Sequence, residues 1–559
     1  MILLIAKPLK ARAFAATRLV AVLSICFIAP TFAARTERLI DSWKPTDYKV
    51  ALTFNEKLSE ISSARAEITI LCLKDSLSQI DLDFGELPLD SVAVNNSSTP
   101  YTRSAGLISI KLPPRVRQGT SLVISISYHG KPADGLILTL DKAGKPSAVG
   151  DNWPNRSHHW FPCLDHPSAK ATVTFSVTVP NHDLVVANGK LDRVENSSST
   201  TRTWTYTESV PIPPYCMIIA VGDFALVEPP SETTSLAYYV PQTESAYALQ
   251  GFSPANSSLK FFSQTVAPYP YEKLALIIGA TRFGGMENSS AIVFANTLFD
   301  AKAQPLSSVF KIREGLRDTI AHEIAHQWFG DSVTEATWSD LWLSEGFADY
   351  FAGLFIQRYE GEADFQRYMK NEADVYFNYE RNTRTPIHDT NTEELFKLLN
   401  ANNYQKGAWV LHMLRAELGD AQFFQGIRIY YDAHKHSTAT SEDLRAALEK
   451  ASGKDLKDFF SRWVYGAGHP SYELSWQWNQ KTSKMKMALK QIQPEPPFPN
   501  AVPIEILTSN GKRRFVLKPT GRQTVDEVKL DSSPTTVNID PDNTILKDAR
   551  LSQIKPNEP

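Results

Sequence analysis

Cysteine is scarce in this 559-residue chain, with four in all and only Cys72, Cys163 and Cys216 beyond residue 34. An odd, widely spaced trio excludes a fold held by a disulfide framework, though one pairing stays open. No CxxC or Cys/His spacing of a structural zinc module occurs. Net charge is also small, −3 from 58 basic and 61 acidic side chains. The basic excess needed to hold a nucleic-acid backbone is therefore missing, and no nucleic-acid partner is expected. There is no repeat of fixed period and no long low-complexity tract. The apolar run at residues 19–29 covers 11 positions, too few for a stable membrane anchor.

That run reads instead as an address. Lys7, Lys10, Arg12 and Arg18 precede it, and Pro30 and the small-residue stretch TFAAR follow. A basic region, an apolar core and an A-x-A-like site predict a secretory signal over residues 1–34, cut after Ala33 or Ala34. The rival is a lipid anchor on Cys26 in LSIC, which the bulky Ile25 argues against. The mature protein is expected to be exported, periplasmic or secreted, with no stable membrane span after cleavage.

What remains has the composition of an ordinary globular protein, 42% hydrophobic and 21% charged, and is too long for one core. Up to about residue 240 the pattern is alternating and β-branched, as in YKVALTF, SLVISISYHG, ATVTFSVTVP and TRTWTYTESV. After Phe252 apolar residues recur at i, i+3, i+4, through SSVFKIREGLRDTIAHEIAHQWF, DLWLSEGFADYFAGLFIQRY and SEDLRAALEKAS. YGAGHPS then breaks the pattern, and YELSWQW, KMKMALK and AVPIEILTS return to strands. The expected fold is multidomain α+β: a signal at 1–34, a β domain at 35–243, a mainly helical domain at 244–467 and a small β domain at 468–559.

The helix predicted from about Arg313 carries HEIAH. His322 and His326, at i and i+4, share one face one turn apart, the spacing two imidazoles need to hold one zinc ion. Glu323 is rotated away by about a quarter turn, so it faces a water on the metal without ligating it. A third ligand follows after 18 intervening residues at Glu345, in LWLSEGFADYF. Between them Gly330 and Asp331 end the first helix, and Ser339 or Asp340 is placed to cap the second. Two His and one Glu leave a fourth position for water or substrate, as in a catalytic zinc site. Glu323 is then the general base, and Tyr404 in NNYQKG is the candidate donor to an oxyanion.

HEIAH with Glu345 in WLSEGFA resembles the zinc aminopeptidase family that includes aminopeptidase N and leukotriene epoxide hydrolase. GGMEN (Gly284, Gly285, Met286, Glu287, Asn288) is similar to its G-x-M-E-N exopeptidase loop, and Tyr404-Gln-Lys-Gly to its Y-x-K-G segment. FPCLDHPSAKATVTF, from Phe161, is similar to its FPCFDEP-type segment. The likeness runs from about residue 40 to the end of the third domain. It implies a saddle-like β domain, a thermolysin-like catalytic domain and a small β sandwich, without the helical C-terminal domain of many relatives. It also implies one zinc ion per chain on His322, His326 and Glu345, Glu323 as base and Tyr404 as transition-state stabiliser. Residues 284–288 become the substrate loop, with Glu287 anchoring the free α-ammonium of a peptide.

Two departures stand out. Where the family carries a Glu or Gln as second ammonium ligand, ungapped counting from Phe161 falls on Trp153, with Asp151 as a nearby substitute. The absent helical domain implies a more open cleft. Other conspicuous residues have plain readings: His158 and His159 as structural, His434 and His436 as a solvated loop, Trp328, Phe329, Trp338 and Trp342 as core. Epoxide hydrolysis and a non-catalytic scaffold are the alternatives. The first lacks a feature of its own, and the second should have lost a ligand, the base or the tyrosine. Side-chain preference and oligomeric state are not legible.

Overall fold

The computed structural model describes residues 35, 37–231, 234–297 and 312–554. The expected signal at 1–34 lies outside the described residues.

The first unit is built on an eight-stranded sheet. At its centre Trp43–Phe54 pairs antiparallel with Ile61–Cys72 and parallel with Ala171–Pro180, placing Tyr48 opposite Ile68 and Val173. The alternation read in ATVTFSVTVP is obeyed: Val173, Phe175, Val177 and Val179 are buried, and Thr172, Thr174, Ser176 and Thr178 are half-buried on the other face. Cys72, Cys163 and Cys216 are buried free thiols, so the open pairing does not form.

The second unit begins with a five-stranded sheet, in spatial order Phe224–Val227, Ser235–Pro241, Lys273–Gly279, Ala291–Ala295 and Gly285–Met286. It draws strands from both sides of residue 243. Gly285–Met286 is its edge strand, antiparallel to Ala291–Ala295. Its outer backbone is the kind an extended peptide pairs with.

Helices follow. Glu314–His326 is continuous, as the periodicity predicts. Trp342–Tyr359 differs from the amphipathic expectation: every residue from Trp342 to Ile356 is buried. It is the central rod, packed by Glu314–His326, Glu362–Glu380 and Gly407–Leu418, so it has no solvent face. The predicted cap at Ser339 or Asp340 is also corrected. Asp340 Oδ1 instead accepts the Ser441 backbone N–H at 3.0 Å and its hydroxyl at 2.7 Å, and no side chain caps this helix. The first helix ends earlier than expected, at His326 with Gln327 as its C-cap, and Gly330, at φ +121°, makes the turn that follows.

The third unit stacks a four-stranded sheet on a three-stranded one. Leu474, Trp476, Met487 and Leu489 face Val502, Ile504 and Ile506 in a core continuous with that of the helices. The observed order is thus a β-rich first unit, a mostly helical centre and a small C-terminal β sandwich.

Candidate active site

Two crossings bring the chemistry together. The helix Glu314–His326 packs on Trp342–Tyr359, delivering HEIAH to Glu345. Gly346 and Gly407 then meet backbone to backbone: a Cβ on Gly346 would lie 2.8 Å from the Gly407 Cα and carbonyl carbon. Only glycines permit this approach, and it seats the adjoining π-helical turn Asn402–Lys406, with Tyr404, over Glu345.

His322 Nε2 and His326 Nε2 lie 3.0 Å apart. Glu345 Oε2 is 3.4 Å from the first and 3.3 Å from the second. Ligand bonds of about 2.0–2.1 Å in a tetrahedron put ligand atoms roughly 3.3 Å apart, so the triangle has the size that zinc requires. Glu345 Oε2 is moreover buried and makes no hydrogen bond of good geometry to any described residue. The far ring nitrogens are also held. His322 Nδ1 faces Asp349 Oδ1 at 2.8 Å, and His326 Nδ1 donates to the Phe329 carbonyl at 3.1 Å, with Ser344 Oγ at 3.0 Å. Both rings are thereby turned with Nε2 toward the centre. The three side chains form a site for one zinc ion per chain.

The electrostatics divide the carboxylates by role. Burial alone would raise Glu345, but His326 and His322 hold it down to about 2, so it stays an anionic ligand. Glu323 is pushed up to about 8, first by burial, with the histidines opposing and Glu287 and Glu345 adding to the rise. It is a carboxyl poised to gain and lose a proton near neutrality. Gly285 explains how it fits. A Cβ there would collide with the Glu323 carboxylate and stand 2.6 Å from its Cγ. Burial keeps the Tyr404 phenol well above its ordinary value, with Glu345 adding to the effect, so it stays protonated and can donate a hydrogen bond. Its ring lies parallel to His322 at 6.0 Å.

Glu287 lines the same cavity, and its ligand atom lies within 4.8 Å of those of Glu323 and His326. Burial raises its pKa too, against the pull of His326. The cavity, with an empty volume of about 300 Å³, is also lined by Trp153, Phe283, Met286 and Leu399. Across His322, Glu323 and Tyr404 the site opens into a cleft with about 960 Å³ of empty volume, edged by Gly284, Asp318, Asp349 and Glu372. Asn288 is buried behind the loop, its amide donating to the Met286 carbonyl at 3.2 Å.

Trp153 stands edge-on to Phe283, Trp338 and Phe396. Asp151 does not stand in for an ammonium ligand. It is fully buried, 2.8 Å from Arg156 Nη2, and accepts the Thr281 hydroxyl at 2.9 Å. His158 pairs with Asp165 at 2.8 Å, consistent with a structural role. His434 is corrected: it ends the helix Asp420–His434 and is half-buried against the Thr438 carbonyl. Trp328, Phe329, Trp338 and Trp342 are buried and absent from the cavity wall. Sequence reading missed Asp349, Ser344 and Gln327, whose roles depend on distances that spacing does not encode. It also missed Glu335, a buried carboxylate with neither oxygen hydrogen-bonded.

Comparison with known proteins agrees with this geometry. Residues 252–463 match the family described as Peptidase family M1 domain, and residues 44–216 match Peptidase M1 N-terminal domain. The chain is 29% identical over 473 residues to Probable aminopeptidase 2 of Sulfurisphaera tokodaii, covering 83% of this chain and 59% of that protein. It is 26% identical to Tricorn protease-interacting factor F2 of Thermoplasma acidophilum, over 81% of this chain and 57% of the relative. With Aminopeptidase M1-A of Oryza sativa subsp. japonica it shares 30% identity over 64% of this chain and 40% of the relative. It thus spans less than two thirds of the length of these relatives. With both matched domains in sequence and the His322–His326–Glu345 triangle assembled, the chain belongs to peptidase family M1.

Proposed function

We propose that this protein is an exported zinc aminopeptidase that releases the first residue of peptides with a free α-amine. The observation that carries the reading is the asymmetry of the site. Glu287 and the metal triangle line a smaller cavity together with Trp153 and Phe283, and this cavity shares His322, Glu323 and Tyr404 with a larger cleft. A peptide placed with its ammonium against Glu287 has one residue in the smaller cavity and the rest of its length in the larger cleft.

Zinc bound by these three residues supplies Lewis acidity for a peptide carbonyl and lowers the pKa of a water. The chain's own groups do the rest. Glu323 accepts the proton of the attacking water and returns it to the leaving amine. Tyr404 donates a hydrogen bond to the developing oxyanion, and the Gly285–Met286 edge aligns the peptide backbone. Glu287 fixes the register, because an ammonium reaches it only when one residue separates it from the scissile bond. Support for export is the basic and apolar pattern of residues 1–34. No helix among the described residues is long and apolar enough to cross a membrane.

The test is a panel of amino-acid anilides, free and N-acetylated, assayed with and without chelator. Chelator-sensitive cleavage confined to the free amines is expected. Efficient cleavage of blocked peptides at internal bonds would overturn the exopeptidase reading.

A further inference from the structure

Gln327 follows the metal ligand His326 directly, is fully buried and does not line the cavity at the metal triangle. Its side chain nevertheless uses its whole hydrogen-bonding capacity. Nε2 donates to the Glu287 carbonyl at 2.7 Å and to Asp331 Oδ2 at 2.8 Å. Oε1 accepts the Ser290 backbone N–H at 2.8 Å and the Tyr269 hydroxyl at 3.1 Å. These four partners fix which end of the amide is oxygen, and a buried amide so saturated has one orientation.

The consequence concerns distance. Glu287 sits on a loop that the first unit grips at its far end: Asn188 Nδ2 donates to the Ser289 carbonyl at 2.6 Å, and Ser290 Oγ accepts the Gly189 N–H at 2.7 Å. Those bonds tie residues 289 and 290 to another sheet and say nothing about the metal. Gln327 is the link between the Glu287 backbone and the helix that carries His322 and His326. The path from His326 to Glu287 runs through one covalent neighbour and one hydrogen bond.

From this geometry we infer that Gln327 is a positioning residue for the amine subsite, setting the separation between the metal ligands and Glu287 on which one-residue register depends. It touches neither substrate nor metal. The inference rests on the aminopeptidase reading and goes beyond it by naming what holds the measuring distance.

Its loss should therefore loosen recognition of the amine while leaving the metal in place. The experiment compares Gln327→Leu with the parent, using an amino-acid hydroxamate and its N-acetyl form as paired inhibitors. Both can reach zinc through the hydroxamate, and only the first offers an ammonium. The ratio of their inhibition constants should fall by about tenfold or more in the variant, the scale of one buried hydrogen bond, with zinc still at one per chain. Gln327→Glu keeps the size and an acceptor oxygen but removes the amide donor from Glu287. It should lose the same discrimination, and it reads the question if Gln327→Leu does not fold. An unchanged ratio in a zinc-loaded variant overturns the role of Gln327 alone. A parent that binds both hydroxamates equally overturns the aminopeptidase reading, and this inference with it.

Discussion

His322 Nδ1 and Asp349 Oδ1 face each other at 2.8 Å, joining the first zinc-binding helix to the second one turn beyond Glu345. The carboxylate fixes the ring's tautomer, leaving Nε2 unprotonated toward the metal. Asp349→Ala should lower zinc affinity by about 10–100-fold. Titration against a zinc buffer measures this, and an unchanged affinity would mean that helix packing alone orients the ring.

Glu323 and Gly285 make a matched pair. Glu323→Gln should keep one zinc per chain and lower turnover by about 10²–10⁴, because Glu323 is not a ligand. Gly285→Ala should approach the same phenotype by a different route, since the added methyl must displace the Glu323 side chain. Zinc analysis beside steady-state kinetics checks both. An active Gly285→Ala would show that the base need not sit where the structure places it.

Tyr404→Phe should reduce kcat by about 10²–10³ with little change in KM, the signature of a donor used only in the transition state. If KM rises and kcat holds, the hydroxyl is a ground-state contact.

Lys406, two residues on, is buried with no acceptor on its Nζ, and burial brings its pKa from 10.5 down to about 7, with Glu380 opposing. Between about pH 7 and 10.5 the unfolded chain holds a proton that the folded chain does not. Stability from this site therefore rises with pH across that window and is lost as pH falls through it, by up to about 1.4 kcal/mol per pH unit. Denaturant unfolding of Lys406→Met should show the slope removed. A difference between the two proteins that stays constant from pH 7 to 10 would mean that the folded protein keeps this amine charged.

The metal triad was legible because an i, i+4 pair fixes its own geometry on a helix, so HEIAH carries its meaning locally. Glu345 required one further step, that the turn at Gly330 returns the chain, and that turn forms. Other features were not legible because they depend on what packs alongside. Trp342–Tyr359 reads as amphipathic until three helices enclose it. Asp340 looks like a cap until Ser441, remote in sequence, takes its oxygen. Asp151 looks available to an ammonium until Arg156 and Thr281 claim it. The change of periodicity after Phe252 marks where helices begin, whereas hydrogen bonding carries Ser235–Pro241 into the next sheet. Gln327 reads as one more polar residue after a histidine, since nothing in spacing reveals that its amide meets the loop at Glu287.

The unequal size of the two cavities also bears on the order in which products would leave. On the proposed aminopeptidase reading, the shortened peptide would lie in the larger cleft and the released amino acid beside Glu287, Trp153, Phe283 and Leu399, which line the smaller cavity. On that reading the shortened peptide is expected to leave first and the amino acid after it. Product inhibition should follow that sequence, with the free amino acid competing directly with substrate and the shortened peptide giving a mixed pattern. On the proposed reading, each bond cut ends with release of both fragments, so a long peptide would be trimmed through separate encounters and its intermediates would accumulate in solution.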